Sequence, residues 1–218
     1  MTPSPAKRLF LFDMDGTLVD SLPDLATATN EMRALHGLPP LPAETVRTYI
    51  GNGIRLLAER AVAGTGVPVD AAAKETRAAY ARHLTDATRP MPGINPLLRA
   101  LRAAGHVLGI VTNKPAPHNL RLVEHLGWLP LFDVILAGGD LPRLKPDPAP
   151  ILEAMRRTGF SDSPSAVWMV GDNYTDLEAA RRADVSSVYL ENGYGSPRAE
   201  IPTLRLPNAD ALLARFLP

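Results

Sequence analysis

The chain contains no cysteine, which removes disulfides, thiolate metal ligands and cysteine nucleophiles at once. It has no excess charge of either sign, since 23 lysines and arginines balance 23 aspartates and glutamates. Neither nucleic acid nor an anionic membrane is therefore implied as a partner. Long apolar runs are also missing, and none approaches the roughly 20 residues needed to cross a bilayer. The stretch Met1–Arg8 is short, polar and proline-bearing, without the apolar h-region of a signal peptide. The expectation is a cytoplasmic protein with a small-molecule partner.

What is present suits a sizeable core. Hydrophobic residues make up 45% of 218, a length that fits one domain with a smaller appended unit. Five short apolar runs stand out: Arg8–Phe12, Val107–Val111, Asp133–Leu136, Val167–Val170 and Ser187–Leu190. Runs this short suit strands buried on both faces of a parallel sheet. Between the later runs the spacing is helical, with Leu120, Val123 and Leu126 in one stripe and Ile151, Leu152 and Met155 in another. Strand alternating with helix predicts a doubly wound, Rossmann-like α/β core, whose ligands bind beyond the carboxyl ends of the strands.

Residues 20–90 break the alternation. Leu22, Leu25, Met32 and Leu35 recur at helical intervals, and Arg89-Pro90-Met91-Pro92-Gly93 cannot continue a helix. This segment is expected to form a helical cap inserted after the first strand, leaving 1–19 and 91–218 as the α/β core. Trp168 is expected in the core, and Trp128 and Phe132 beneath the turn into the third strand. The five histidines, at 36, 83, 106, 118 and 125, lack metal-ligand spacing and receive no role.

Polar clusters follow four of the runs. The first run leads into Asp13-Met14-Asp15-Gly16-Thr17, the second into Thr112-Asn113-Lys114, and the fourth into Gly171-Asp172-Asn173-Tyr174-Thr175-Asp176. Lys145-Pro146-Asp147-Pro148 lies between the third and fourth. Each has a plainer reading taken alone. An Asp-Gly pair suits a turn, Thr112-Asn113 a helix N-cap, and Lys145-Pro146 a solvated loop. Asp172 and Asp176 suit the start of a helix. It is their order, each at a strand end, that points to one site.

Asp13–Thr17 resembles the first motif of the haloacid dehalogenase superfamily phosphatases. Thr112, Lys145 and Gly171–Asp176 are similar to the motifs that follow it in that family. The resemblance implies a magnesium-dependent phosphomonoester hydrolase in which Asp13 is nucleophile and metal ligand. Asp15 would be general acid and base, reaching the metal only through its backbone carbonyl, and Asp172 a further ligand. Thr17, Thr112, Asn113 and Lys145 would hold the phosphoryl group, and Asp176 would orient Lys145 or a metal-bound water. Val46–Ala61 resembles the cap of bacterial phosphoglycolate phosphatases, as do Gly138-Gly139-Asp140 and Gly193-Tyr194-Gly195. That implies 2-phosphoglycolate as substrate, met by Gly51, Asn52, Gly53 and Arg55. A phosphosugar mutase of the β-phosphoglucomutase kind, a phosphatase for other small esters and a non-catalytic phosphometabolite-binding protein stay open, as do monomer and homodimer.

Overall fold

The computed structural model describes residues 7–217. Its main sheet has six strands, all parallel: β1 (Leu9–Phe12), β4 (Val107–Pro115), β5 (Val134–Gly138), β6 (Val167–Gly171), β7 (Ser186–Leu190) and β8 (Leu204–Leu206). Their order across the sheet is β5-β4-β1-β6-β7-β8. From β1 the chain winds first to one side and then, after β5, returns to the other. Its direction therefore reverses around β1, and the carboxyl ends of β1, β4 and β6 flank the crevice where a doubly wound sheet binds its ligand.

β1 shows why both faces must be covered. All four of its side chains are fully buried and alternate between two cores. Phe10 and Phe12 pack with Leu97, Leu98 and Leu101 of α5 (Ile94–Ala103) and with Leu212 and Phe216 of α9 (Ala209–Phe216). Leu9 and Leu11 pack on the other face with Ile151 and Met155 of α7 (Ala149–Thr158) and Ala179 and Ala180 of α8 (Tyr174–Arg182). The period of two in a strand produces this division, and burial on both faces explains the unbroken apolar run.

The expected doubly wound sheet is found, with two elements that the apolar runs do not announce. β8 is an edge strand of three residues, with Leu204 and Leu206 half-buried and Arg205 exposed. A two-stranded antiparallel ribbon pairs β2 (Val19–Asp20) with β3 (Arg89–Pro90), tying together the two ends of the inserted segment. Three expected stripe residues are exposed: Leu120, Leu152 and Leu35. On α6 (Ala116–His125) the buried residues are His118, Asn119, Leu122 and Val123; on α7 they are Pro150, Ile151, Ala154 and Met155. At 3.6 residues per turn, Leu120 and Leu152 stand about 130° from the centres of those stripes. Leu35 is the last residue of α1 (Leu22–Leu35), beyond the packed face. Trp128 is buried and donates Nε1 to Asn95 at 2.8 Å. Trp168 is partly buried, packing edge-on against Phe216.

Between the ribbon strands lie α1, α2 (Ala43–Arg47), α3 (Ile54–Ala61) and α4 (Val69–His83). They share their own apolar clusters, one of which takes in Leu25, Ile50, Ile54, Leu57 and Tyr80 together with Leu122 from α6. The return to β3 is fixed by Asp24, whose buried carboxylate accepts the backbone N–H groups of Ala87 and Thr88 and the Thr88 hydroxyl, the last two at 2.7 Å. Deleting that acceptor leaves several buried donors unpaired. Asp24→Ala should lower the unfolding free energy by about 2–4 kcal/mol, as read from urea titration; a loss below about 0.5 kcal/mol would contradict this role.

Candidate active site

The site is assembled where five strands end. Asp13 follows β1 directly, with its amide bonded to Val170 O on β6 at 3.0 Å. The chain then turns back on itself, the amides of Leu18 and Val19 both donating to Met14 O. Gly16 makes this turn possible: its φ is +85°, and a Cβ there would meet Asp172 Oδ2 at 2.5 Å. Thr112, Asn113 and Lys114 lie in β4 past the last regular pair with β5, where the register shifts.

Lys145 is buried behind Asp13. Its ammonium donates to Val111 O and Asp176 Oδ1, both at 2.6 Å, and lies 3.0 Å from Asp13 Oδ1. Burial alone would lower its pKa, but the carboxylates of Asp13 and Asp176 overcome that and raise it, so the group stays charged. Asn113 holds the Lys145 backbone at both polar atoms, accepting its N–H and donating to its C=O at 2.9 Å. Asp176 belongs to the capping box of α8, taking the Asn173 amide on its other oxygen.

Asp172 accepts the Thr17 hydroxyl at 2.9 Å on Oδ1, and the amides of Tyr194 and Gly195 at 2.8 and 2.9 Å on Oδ2. Burial, and then the Asp13 carboxylate, push its pKa up to about 6 against these bonds. Asp176 is pushed up to about 7, by burial first, with Lys145 pulling the other way. Oxygens of Asp13, Asp172 and Asp176 all lie within 4.8 Å of one another. Three buried carboxylates thus face one ammonium, which lies against both Asp13 and Asp176. An oxygen-only donor set and surplus negative charge fit a hard divalent cation.

Asp15 points elsewhere. Its Oδ1 accepts the Ser21 hydroxyl at 2.6 Å and the Lys114 ammonium at 2.7 Å, so its side chain is outside the acidic cluster. The Thr17 hydroxyl donates to Asp172 and its amide to Met14 O, and Thr17 is not among the residues that line the cavity. That cavity, about 40 Å³, is bounded on the sheet side by Asp13, Asp15, Thr112, Asn113 and Lys114. Leu25, Gly51, Gly53, Ile54 and Tyr80 close it from the helical side. Gly51 is held close, at φ +109°, where a Cβ would meet Asn173 Nδ2 at 2.4 Å.

Two expected cap contacts lie outside this cavity. Asn52 binds the Tyr174 hydroxyl and Arg60. Arg55 is exposed, paired with Asp70 at 3.0 Å and near Glu59, because α3 directs it toward the start of α4. Sequence reasoning assigns no role to Lys114, Tyr80 or Tyr194. Lys114 carries a usable signal, standing two residues beyond Thr112 on the same strand. Tyr194 stands in the Gly193-Tyr194-Gly195 stretch, and Tyr80 carries no signal, since packing between distant segments places it.

A doubly wound α/β enzyme with a buried carboxylate–lysine centre at the switch of its sheet is the class that fold and site define. A family model of haloacid dehalogenase-like hydrolases matches residues 10–190, and the chain belongs to that family. A phosphoglycolate phosphatase of Psychrobacter arcticus is 38% identical over 197 residues, 86% of this chain and 85% of its own length. An N-acetylmuramic acid 6-phosphate phosphatase of Pseudomonas aeruginosa is 36% identical over 192 residues, 87% and 84% of the two chains. The crystal structure of a predicted phosphoglycolate phosphatase from Haemophilus somnus 129pt matches with a TM-score of 0.88 at 32% identity, covering 96% of this chain and 97% of that one. Phosphatases of the family generally use a divalent metal, in keeping with the acidic cluster. Among the described residues no helix is long and apolar enough to cross a membrane.

Cation binding must displace the proton from Asp172, whose pKa is pushed up to about 6. Affinity should therefore fall as pH drops through that value, by roughly fourfold between pH 7.5 and 5.5 from Asp172 alone. Calorimetric titration with magnesium at the two pH values checks this. Affinity that holds or rises at pH 5.5 would contradict it.

Proposed function

We propose that the protein is a magnesium-dependent phosphomonoesterase acting on 2-phosphoglycolate through a phosphoaspartate on Asp13. The observation that carries the chemistry is the placement of Asp13. It borders a cavity on one side and is backed on the other by a buried ammonium and two more carboxylates.

In the first step an Asp13 oxygen attacks phosphorus as the bond to the ester oxygen breaks. Asp15 gives its proton to the departing glycolate oxygen. It then takes one from the water that attacks phosphorus and frees phosphate and Asp13. Lys145 offsets negative charge on the phosphoryl oxygens, and Thr112 with the amides near Asn113 binds them. Asp176 fixes Lys145, and Thr17 fixes Asp172. Asp13, Asp172 and the Asp15 carbonyl would hold the cation. When bound, it neutralises charge on the phosphoryl group and favours the ionised form of Asp13. Magnesium is assigned on the oxygen-only set of a chain without thiolates.

Residues 20–90 would act as a cap hinged at the Val19–Asp20 and Arg89–Pro90 ribbon. Closed as here, this segment touches the core through Asn113 to Gly51 O and Arg47 to Gly193 O, excluding water from the reaction. The cavity beside Asp13 is about 40 Å³ and shares Gly53, Ile54, Asn113 and Pro115 with a larger one of about 540 Å³, while several of the similar proteins are named phosphoglycolate phosphatases. For that reason 2-phosphoglycolate is preferred over the sugar phosphate named for the Pseudomonas relative, and hydrolysis over a phosphosugar mutase. A non-catalytic binding role would not call for Asp13, Asp15, Lys145 and Asp172 together. A cytoplasmic location, as monomer or homodimer, completes the proposal.

The test is phosphate release from 2-phosphoglycolate, N-acetylmuramic acid 6-phosphate and β-glucose 1-phosphate, with magnesium and with chelator. Metal-dependent release, fastest from 2-phosphoglycolate, is expected. Faster release from a sugar phosphate would overturn the substrate, and no metal-dependent release from any ester would overturn the activity.

A further inference from the structure

Lys114 is a second buried ammonium, 4% exposed, that the phosphoryl chemistry above leaves unused. It borders the cavity beside Asp13 and Asp15. Its Nζ donates to Asp15 Oδ1 at 2.7 Å and to the Tyr80 hydroxyl, and it lies 4.5 Å from the centre of the Tyr80 ring. An ammonium has three donors, and these two partners leave one for a ligand. Among the described residues no other cationic side chain borders the cavity. Lys145 is enclosed by Val111, Asp13 and Asp176, and Arg55 is spent at the surface on Asp70. His118, packed edge-on to Tyr80, adds no positive charge near neutrality, because burial, and then Lys114, lower its pKa to about 4.

The remaining cavity wall on the helical side is apolar, formed by Leu25, Ile50, Ile54 and Leu57. An anionic group on the leaving-group side of the phosphate would be costly there without a countercharge. We propose that Lys114 is the specificity-determining residue of this enzyme, binding the carboxylate of a small phosphorylated hydroxy acid. The inference rests on the phosphatase reading and names the group that selects its substrate. It replaces Arg55, the contact expected from sequence. Because Lys114 also grips Asp15, it couples recognition to placement: the ammonium that meets the substrate carboxylate holds the proton-transferring side chain beside the same ligand. Tyr80 brings a helical-segment contact to that ammonium, so closure over the cavity and formation of the anion site occur together.

The experiment compares kcat/KM for 2-phosphoglycolate with that for 2-hydroxyethyl phosphate, in which a hydroxymethyl group replaces the carboxylate. The ratio is taken within each variant, so partial misfolding or a general loss of activity cancels. Loss of one charge-assisted bond should lower the ratio by about 10- to 100-fold in Lys114→Met. Most of the drop should appear as a higher KM for 2-phosphoglycolate, with partial recovery in Lys114→Arg. A wild-type preference for 2-phosphoglycolate that survives Lys114→Met within threefold would overturn the role of Lys114 and leave the phosphatase reading standing. A wild-type enzyme that hydrolyses both esters without that preference would overturn the role of Lys114 and the choice of substrate, and leave the phosphatase chemistry standing. If Lys114→Met turns over neither ester, equilibrium binding of each to Asp13→Asn, with and without Lys114→Met, yields the same ratio, and the same threefold threshold decides the role of Lys114.

Discussion

The ammonium of Lys145 is buried at the carboxyl edge of the sheet, and several distant parts of the chain meet at it. An unpaired charge in that position would be prohibitive. Here it is matched by Val111 O from β4, Asp176 from the start of α8 and Asp13 from the end of β1. The lysine backbone is in turn held by Asn113. These partners come from three adjacent central strands. Their convergence requires the reversal of winding around β1, because only there do strands from both halves of the chain end side by side. The same carboxylates that keep Lys145 charged carry a surplus of negative charge of their own. That surplus suits a cation and, on the proposed mechanism, the phosphoryl group that the cation and Lys145 would share.

A second, shorter chain of contacts links this centre to the helical segment. Asp172 is held by the amides of Tyr194 and Gly195, while the Tyr194 hydroxyl bonds Asp20 and the Leu22 amide at the ribbon. Arg47 reaches from the helical side to Gly193 O. The loop after β7 therefore touches both an acidic residue of the cluster and the point where the inserted segment leaves the core. On the proposed mechanism, movement of that segment is felt at Asp172 and, through Tyr80 and Lys114, at Asp15.

The sheet is legible in sequence because burial on both faces writes strands as unbroken apolar runs, and five of its six are readable that way. β8 is not, since an edge of three residues with Arg205 exposed at its centre needs no such run. Leu120 and Leu152 mislead because an apolar residue at helical spacing is not bound to the buried side; the stripes are centred elsewhere on each helix. At the site, residue types and strand-end positions are visible, but partners are not. Thr17 bonds a carboxylate 155 positions away, and Arg55 turns to Asp70 because of where α3 and α4 meet. Lys114 stands in plain view beside Thr112, yet its pairing with Asp15 and Tyr80 depends on packing that no local pattern encodes.

The proposed mechanism requires that Asp13 itself become phosphorylated, and borohydride trapping during turnover addresses that step without intermediaries. Acyl phosphates are reduced by borohydride to the alcohol, so a trapped Asp13 is converted to homoserine, which peptide mass spectrometry locates. Homoserine is expected at position 13 when enzyme, magnesium and 2-phosphoglycolate are present together, and none when chelator replaces the metal. Reduction at Asp15 or Asp172 instead, or turnover with no reduced aspartate at all, would contradict the mechanism.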